Sequence, residues 1–283
     1  MNNDAHRREA EAYLDWHAEM GVDLGVGDVP VNWFELSEQP ARTASSAPVQ
    51  HETPAPAVRQ PSAGTPATRA PAARVPAPAA APDEAVMDAR ERASSAPTLQ
   101  ALHDALAAFD GCGLKATAKN LCHYRGAATA RLMIIGEAPG RDEDLSGTPF
   151  VGPAGQLLDK MLAAIEMDET HVHITNIVYW RPPGNRNPTP QEALVCRPFL
   201  DRQIELVAPD LIMILGRPAS NNLLNNTESI MKQRGKWKTL KIGAQEIPAM
   251  PTLHPAYLLR TPLAKRMAWQ DLQSVRDKLR GEG

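Results

Sequence analysis

The alternation of apolar and polar positions divides the chain at about residue 98. Beyond that point, short apolar runs alternate with stretches of helical period. Leu132, Met133, Ile134 and Ile135 form a continuous apolar run, the pattern of a strand buried on both faces, which stops at Gly136-Glu137-Ala138-Pro139-Gly140. Leu157, Leu158, Met161, Leu162 and Ile165 share one face of a helix predicted over about 154–166. Residues 171–178 alternate and then turn apolar, a second strand that ends in a proline-rich stretch from Trp180 to Pro188. Thr189-Pro190-Gln191-Glu192 supplies an N-cap, a proline at the first helical position and a capping-box acid, with Cys196, Leu200, Ile204 and Val207 on the buried face of the helix that follows. Residues 211–215 read as a third strand, ending at Gly216 before a helix over 218–224. Residues 247–253 read as a fourth, ending at His254-Pro255. Thr261-Pro262 opens the last helix, with Ala268, Leu272, Val275 and Leu279 inward, and an earlier helix over 99–109 stops at Gly111. Strands alternating with helices predict an α/β fold of three layers, α/β/α, around a parallel sheet.

Composition sets the preceding segment apart. Ten of the 43 residues over 40–82 are proline, and none is Leu, Ile, Met or aromatic. Such a stretch cannot bury a core, so residues 39–97 read as a disordered Pro/Ala-rich linker. Residues 1–38 read as a helical arm, with Ala10, Tyr13, Trp16 and Met20 at helical spacing, a candidate for docking on the domain or on a protein partner. Residues 98–283 form the catalytic block. The net charge of −3 averages two regions: the block carries 22 Lys+Arg against 19 Asp+Glu, and the first 97 residues carry 8 against 14. A mildly basic block permits nucleic-acid binding without arguing for it. No apolar run has membrane-spanning length and the start lacks a signal-peptide core, so a cytoplasmic protein is expected. Three cysteines, Cys112, Cys122 and Cys196, are too few for a disulfide scaffold.

The candidate chemistry gathers where the four strands end. In an open α/β sheet ligands bind outside the carboxyl ends of the strands, and these ends present 137–144, Asn176, Gly216 and His254 on one edge. Phe150 follows the acidic run just beyond the turn at Gly147-Thr148-Pro149. A stacking ring, an amide with donor and acceptor, an imidazole and carboxylates suit a planar, hydrogen-bonding heterocycle. An Asn amide pairs with a base edge, a phenyl ring stacks on its face, and a neutral His donates to an oxygen that becomes anionic. If the base leaves, its sugar becomes an oxocarbenium ion that a carboxylate stabilises while orienting water. Residues 254–260 read as a loop whose leucines wedge into a base stack, with Arg260 on the phosphates; core leucines are the alternative, and for Leu259 that alternative has at least equal weight. Lys232, Arg234, Lys236, Lys238 and Lys241 are further candidates for phosphate contact.

GEAPGRDEDLSGTPFVGPAGQLLDKML, ITNIVYWRPPGNRNPTPQEALVCRPFL, DLIMILGRPAS and PTLHPAYLLRTPLAKR closely resemble, in order and spacing, the family 4 type of uracil-DNA glycosylase. The resemblance covers about 111–279. It implies the four-stranded parallel sheet of that superfamily and excision of uracil from DNA to leave an abasic site. It further implies that Phe150 stacks on uracil, Asn176 reads its polar edge and His254 stabilises the departing anion. Glu137 and Ala138 would line the pocket, and the loop from Leu258 to Arg260 would invade the duplex. Glu143 is the first choice for the carboxylate that assists water, with Glu137 and Asp144 as alternatives. The family lacks the water-activating Asp that other uracil glycosylases carry in this turn, where this chain has Ala138. No basic insertion separates Asp144 from Phe150 or Arg181 from Glu192, so an ordinary hydrolase is expected rather than a covalent DNA-linking relative; a monomer is expected as well.

The chain departs from the family at its metal. Family 4 members typically hold a 4Fe–4S cluster on four cysteines. Here Cys112 and Cys196 occupy two of those positions, while Phe109 and Trp180 occupy the other two. Two thiolates do not hold such a cluster in the Cys₄ manner, so no cofactor is expected and a partial cluster is the alternative. Two other readings stay open: a glycosylase for hypoxanthine or xanthine, and an inactive DNA-binding protein of the same fold.

Overall fold

The computed structural model describes residues 82–281, so the arm expected over 1–38 and most of the expected linker lie outside the described residues. Four strands run parallel in the middle of a six-stranded sheet: β2 (Leu132–Gly136), β3 (Val172–Asn176), β4 (Leu211–Leu215) and β6 (Gln245–Thr252). Two antiparallel edge strands complete it, β1 (Arg125–Gly126) beside β3 and β5 (Lys238–Ile242) beside β6. The order across the sheet is β1-β3-β2-β4-β6-β5.

Residues β2, β3 and β4 are buried along their whole length, and successive residues point into different cores. Met133, Ile135, Ile212, Ile214 and Ala249 face one core. That face is covered by α1 (Pro82–Ser95), α2 (Leu99–Ala107) and α5 (Pro190–Val207). Leu132, Ile134, Leu211, Met213, Leu215 and Met250 face the other, with Leu158 and Leu162 of α4 (Pro153–Ala163) and Leu272, Val275 and Leu279 of α9 (Lys265–Arg280). This is the three-layer architecture that the continuous apolar runs predict. Truncating one of these fully buried aliphatics to alanine costs about 2–5 kcal/mol. Thr189 caps α5 as expected: its hydroxyl accepts from the Glu192 amide, and the Glu192 carboxylate accepts from the Thr189 amide at 2.7 Å.

Three expectations need correction. The sheet gains its two antiparallel edges, one of them in the lysine-rich connection. In β5 only Leu240 and Ile242 are buried, a period of two too short to register, and the exposed Lys238 and Lys241 suit an edge strand that must not pair with another chain. Helix α1 occupies part of the stretch read as linker. Ala85, Ala89 and Ala93, four residues apart, are buried where α1 packs on α5, and the Arg202 guanidinium bonds the Ala96 carbonyl at 3.0 Å. A stripe of alanines allows close helix approach yet carries none of the large side chains that mark a core in sequence. Finally, Thr261 makes no capping hydrogen bond; α9 starts at Lys265 after a 3₁₀ turn, Pro262–Ala264.

Candidate active site

The turn after β2 is shaped by close approaches to missing Cβ atoms. A Cβ on Gly136 would stand 2.4 Å from the Phe150 ring and 2.5 Å from Asn176 Oδ1, so only glycine lets the ring and the amide lie against the strand end. Phe150 is buried with φ 57°, a left-handed conformation that a bulky residue adopts only when its surroundings enforce it. Gly155 in α4 makes room for it: a Cβ there would fall 1.7 Å from the Phe150 carbonyl oxygen.

The acidic run forms a short helix, α3 (Arg141–Ser146). Glu143 folds back under it: Oε2 accepts from the Gly140 amide at 3.0 Å and Oε1 from the Gly152 amide at 2.9 Å. Its carboxylate thereby ties the turn after β2 to the start of α4. Asp144 is buried and accepts from the Lys119 amide at 2.7 Å, with Arg181 at 4.0 Å. Both acids are occupied in holding backbone. Glu137 differs, having no hydrogen-bond partner among the described residues, and burial pushes its carboxyl up to about 7.

A cleft of about 650 Å³ opens over the carboxyl ends of the strands, lined by Glu137, Ala138, Phe150, Asn176, His254 and Arg260 among others. Gly136 and Asn176 are paired neighbours in β2 and β3, which fixes the amide beside the ring. Asn176 is 1% exposed, and neither its Nδ2 nor its Oδ1 has a hydrogen-bond partner. A buried amide with both ends unpaired costs free energy unless a ligand completes it. His254 lies 5.7 Å from Phe150, ring centre to ring centre, in a stacked arrangement. Its Nδ1 accepts from the Ala256 amide at 3.1 Å, which places the ring hydrogen on Nε2. Burial, helped by the Arg260 charge, lowers its pKa to about 4, so at neutral pH it is an uncharged donor.

The stretch expected as a wedge loop is instead a helix, α8 (Pro255–Arg260), with His254 as its N-cap. Helical phase separates its two leucines. Leu258, expected to enter the duplex, is 1% exposed and packs with Leu253, Ala264 and Ala268, so it is a core residue. Leu259 and Tyr257 face outward beside the exposed Arg260, and Leu263 in the next turn is 93% exposed. Of the basic run, Arg234 is committed to the buried Asp271 and Lys241 pairs with Glu246 at 2.7 Å, which leaves Lys232, Lys236 and Lys238. Sequence reasoning missed the lock on His254 and the Glu143 clamp. The only signals were a proline directly after the histidine and glycines at 140 and 152, where backbone approaches a side chain.

At the corner between the α2 end and α5, Cys112 and Cys196 are buried with their sulfurs 3.8 Å apart, and Phe109 and Trp180 are buried in the same core. The Cys196 thiol donates to Cys112. This favours the Cys112 thiolate and, with burial, holds Cys196 well above the usual thiol range. Cys122 lies elsewhere; its thiol donates to the Glu143 carbonyl at 3.1 Å, and burial pushes it up to about 12. Among the described residues no three His, Cys, Asp or Glu side chains surround a common point. With two thiols and two buried aromatic rings at the four positions, the donor set does not fit a 4Fe–4S cluster.

At the carboxyl edge of the parallel strands a buried ring, an unpaired amide and a neutral imidazole come together, a set able to hold a flat heterocycle. The model of the uracil DNA glycosylase superfamily matches residues 123–273. The chain is 41% identical over 173 residues to a type-4 uracil-DNA glycosylase of Saccharolobus solfataricus, covering 59% of this chain and 80% of that one. It is 38% identical over 168 residues to one of Archaeoglobus fulgidus, covering 58% and 84%. It is 36% identical over 178 residues to one of Thermotoga maritima, covering 61% and 90%. The chain belongs to the uracil DNA glycosylase superfamily.

Proposed function

We infer that this chain is a uracil-DNA glycosylase, hydrolysing the N-glycosidic bond of deaminated cytosine in DNA and leaving an abasic site for repair. The observation that carries the reading is the buried, doubly unpaired amide of Asn176 beside the Phe150 ring. Uracil presents a carbonyl next to an N–H. The Asn176 amide hydrogen donates to that carbonyl and its oxygen accepts from that N–H, so both orphaned atoms are satisfied at once. Cytosine presents an amine and a bare nitrogen there, the opposite polarity, which pairs only with the amide turned over. Discrimination against cytosine therefore rests on the amide being held one way round, and release of base from a matched cytosine oligonucleotide measures it.

The nucleotide must leave the stack to reach the cleft, at a cost of roughly a few kcal/mol. Leu259 and Tyr257 are placed to fill the gap, with Arg260 on the phosphates. As the glycosidic bond lengthens, negative charge grows on the uracil oxygen, and His254 donates from Nε2 without having to lose or gain a proton first. Positive charge grows on the sugar. Glu137, the pocket carboxylate with no other partner, orients water and takes its proton, while Glu143 holds the turn on which both stand.

Single-turnover release of uracil from an oligonucleotide tests the reading. Asn176→Ala is expected to lower the rate on uracil by about a hundredfold or more while the fold is retained. Hypoxanthine also presents a carbonyl beside an N–H, and the open cleft has room for a purine, so a matched hypoxanthine oligonucleotide belongs in the same experiment. Faster release of hypoxanthine than of uracil would move the substrate assignment. Tight DNA binding without release of either base would show a binding protein.

A further inference from the structure

We propose that Cys112 and Cys196 are a dithiol–disulfide pair, closed by a hydroperoxide, in a corner of the fold rebuilt to do without a cluster. Their sulfurs are already 3.8 Å apart, across 84 residues of chain. Cys122 offers no alternative partner, since its thiol is engaged with the Glu143 carbonyl. The buried Phe109 and Trp180 stand where two further thiolates would be needed to hold a cluster. What remains is two thiols adjacent only to each other.

Bonding requires the sulfurs to close to about 2.05 Å. Cys196 sits within α5 and cannot shift far. Cys112 sits between Gly111 and Gly113 at the start of a 3₁₀ turn, Gly113–Ala116, and Gly113 is exposed with open space where a Cβ would be. The movement therefore falls on the turn, which is also the route by which a small oxidant reaches the sulfur. The Cys196 thiol donates its hydrogen to Cys112, which marks Cys112 as the attacking sulfur. Its thiolate attacks one peroxide oxygen, the O–O bond breaks, and Cys112 becomes a sulfenic acid while hydroxide leaves. The Cys196 sulfur then attacks the sulfenic sulfur and loses its proton. The S–S bond forms and the sulfenic oxygen departs as water. Two electrons pass from the thiols to one peroxide.

The loop thus closed contains β2, α3, α4 and β3, and with them Glu137, Phe150 and Asn176. Oxidation would staple the base-binding half of the site to α5. Closing a loop of this length constrains the unfolded chain, and the expected rise in melting temperature is on the order of several degrees.

The test uses the full chain, purified with reductant, its iron and acid-labile sulfide measured first. It is then exposed to hydrogen peroxide, capped with N-ethylmaleimide under denaturing conditions and peptide-mapped. The expected result is no bound iron, a Cys112–Cys196 cross-linked peptide lighter by two hydrogens, and a raised melting temperature that dithiothreitol reverses. Cys122→Ser retains all three results; Cys112→Ser and Cys196→Ser lose the cross-link and the shift. If Cys196→Ser does not fold, Cys112→Ser at the start of the 3₁₀ turn and the wild-type map decide the matter. Stoichiometric iron with acid-labile sulfide, three capped thiols after peroxide, or a cross-link only between molecules would each overturn the proposal.

Discussion

Glu137 and Glu143 are both carboxylates in the same cleft, yet their surroundings give them different tasks. Glu143 spends its two oxygens on the amides of Gly140 and Gly152, whereas Glu137 is desolvated and unpartnered. Glu137 titrates at about 7, so it is protonated, and inactive as a base, below that pH. The single-turnover rate is therefore expected to rise about tenfold per pH unit up to 7 and then level. His254 adds no limb above pH 5, because its pKa is about 4 and it is already neutral. Glu137→Gln should flatten the profile and lower its plateau by about a hundredfold. A limb that persists in this variant would assign the ionisation to another group. Phe150, Asn176 and His254 were legible in the sequence because each lies at or beyond the end of an apolar run. The division of labour between the acids was not, since it depends on two amides nine and three residues from Glu143 that only the folded turn brings together.

At the scale of the element, α8 shows how one residue of phase decides a role. Leu258 and Leu259 are neighbours in sequence and nearly opposite in exposure, 1% against 39%. Leu259→Ala is expected to slow uracil release from duplex DNA by about tenfold, with a smaller effect on single strands, where no gap needs filling, and without loss of stability. Leu258→Ala should act on folding instead, costing about 2–5 kcal/mol measured by chemical denaturation. The reverse pattern would restore Leu258 as the wedge. Read as a loop, the pair could not be separated; read as a helix, the proline after His254 marks its first turn. The same blindness to small elements hid α1, whose buried stripe is alanine, and β5, which has only two inward residues. β2 and β4 were legible because burial on both faces leaves no polar side chain in them, whereas β3, which carries His173, Thr175 and Asn176, was read from its alternation.

At the scale of the whole molecule, among the described residues three histidines are held neutral by burial: His123 at about 3, and His173 and His254 at about 4. In the unfolded chain each takes a proton near pH 6.5, so the stability they permit at neutral pH is lost as pH falls from 6.5 towards 4. Glu137 opposes this, because its raised pKa means the folded state gains its proton first, between about 7 and 4.5. For these four groups together, pH 5 gives an excess of about two protons bound on unfolding, or ~2–3 kcal/mol per pH unit. Denaturation at pH 7 and pH 5 should differ by a few kcal/mol, and equal stabilities would show that these side chains are solvated. Two of these histidines, His123 and His173, lie outside the cleft, in a buried group with Tyr124 that no sequence pattern announced.

His254 is at once the cap of α8 and the group that receives the developing charge, and its ring is oriented by an amide of that same six-residue helix. On the proposed function, Tyr257 and Leu259 meet the duplex three and five residues further along the same helix. Grip on DNA and orientation of the imidazole then depend on one short element, and selection for gripping DNA more firmly would retune the chemistry along with it.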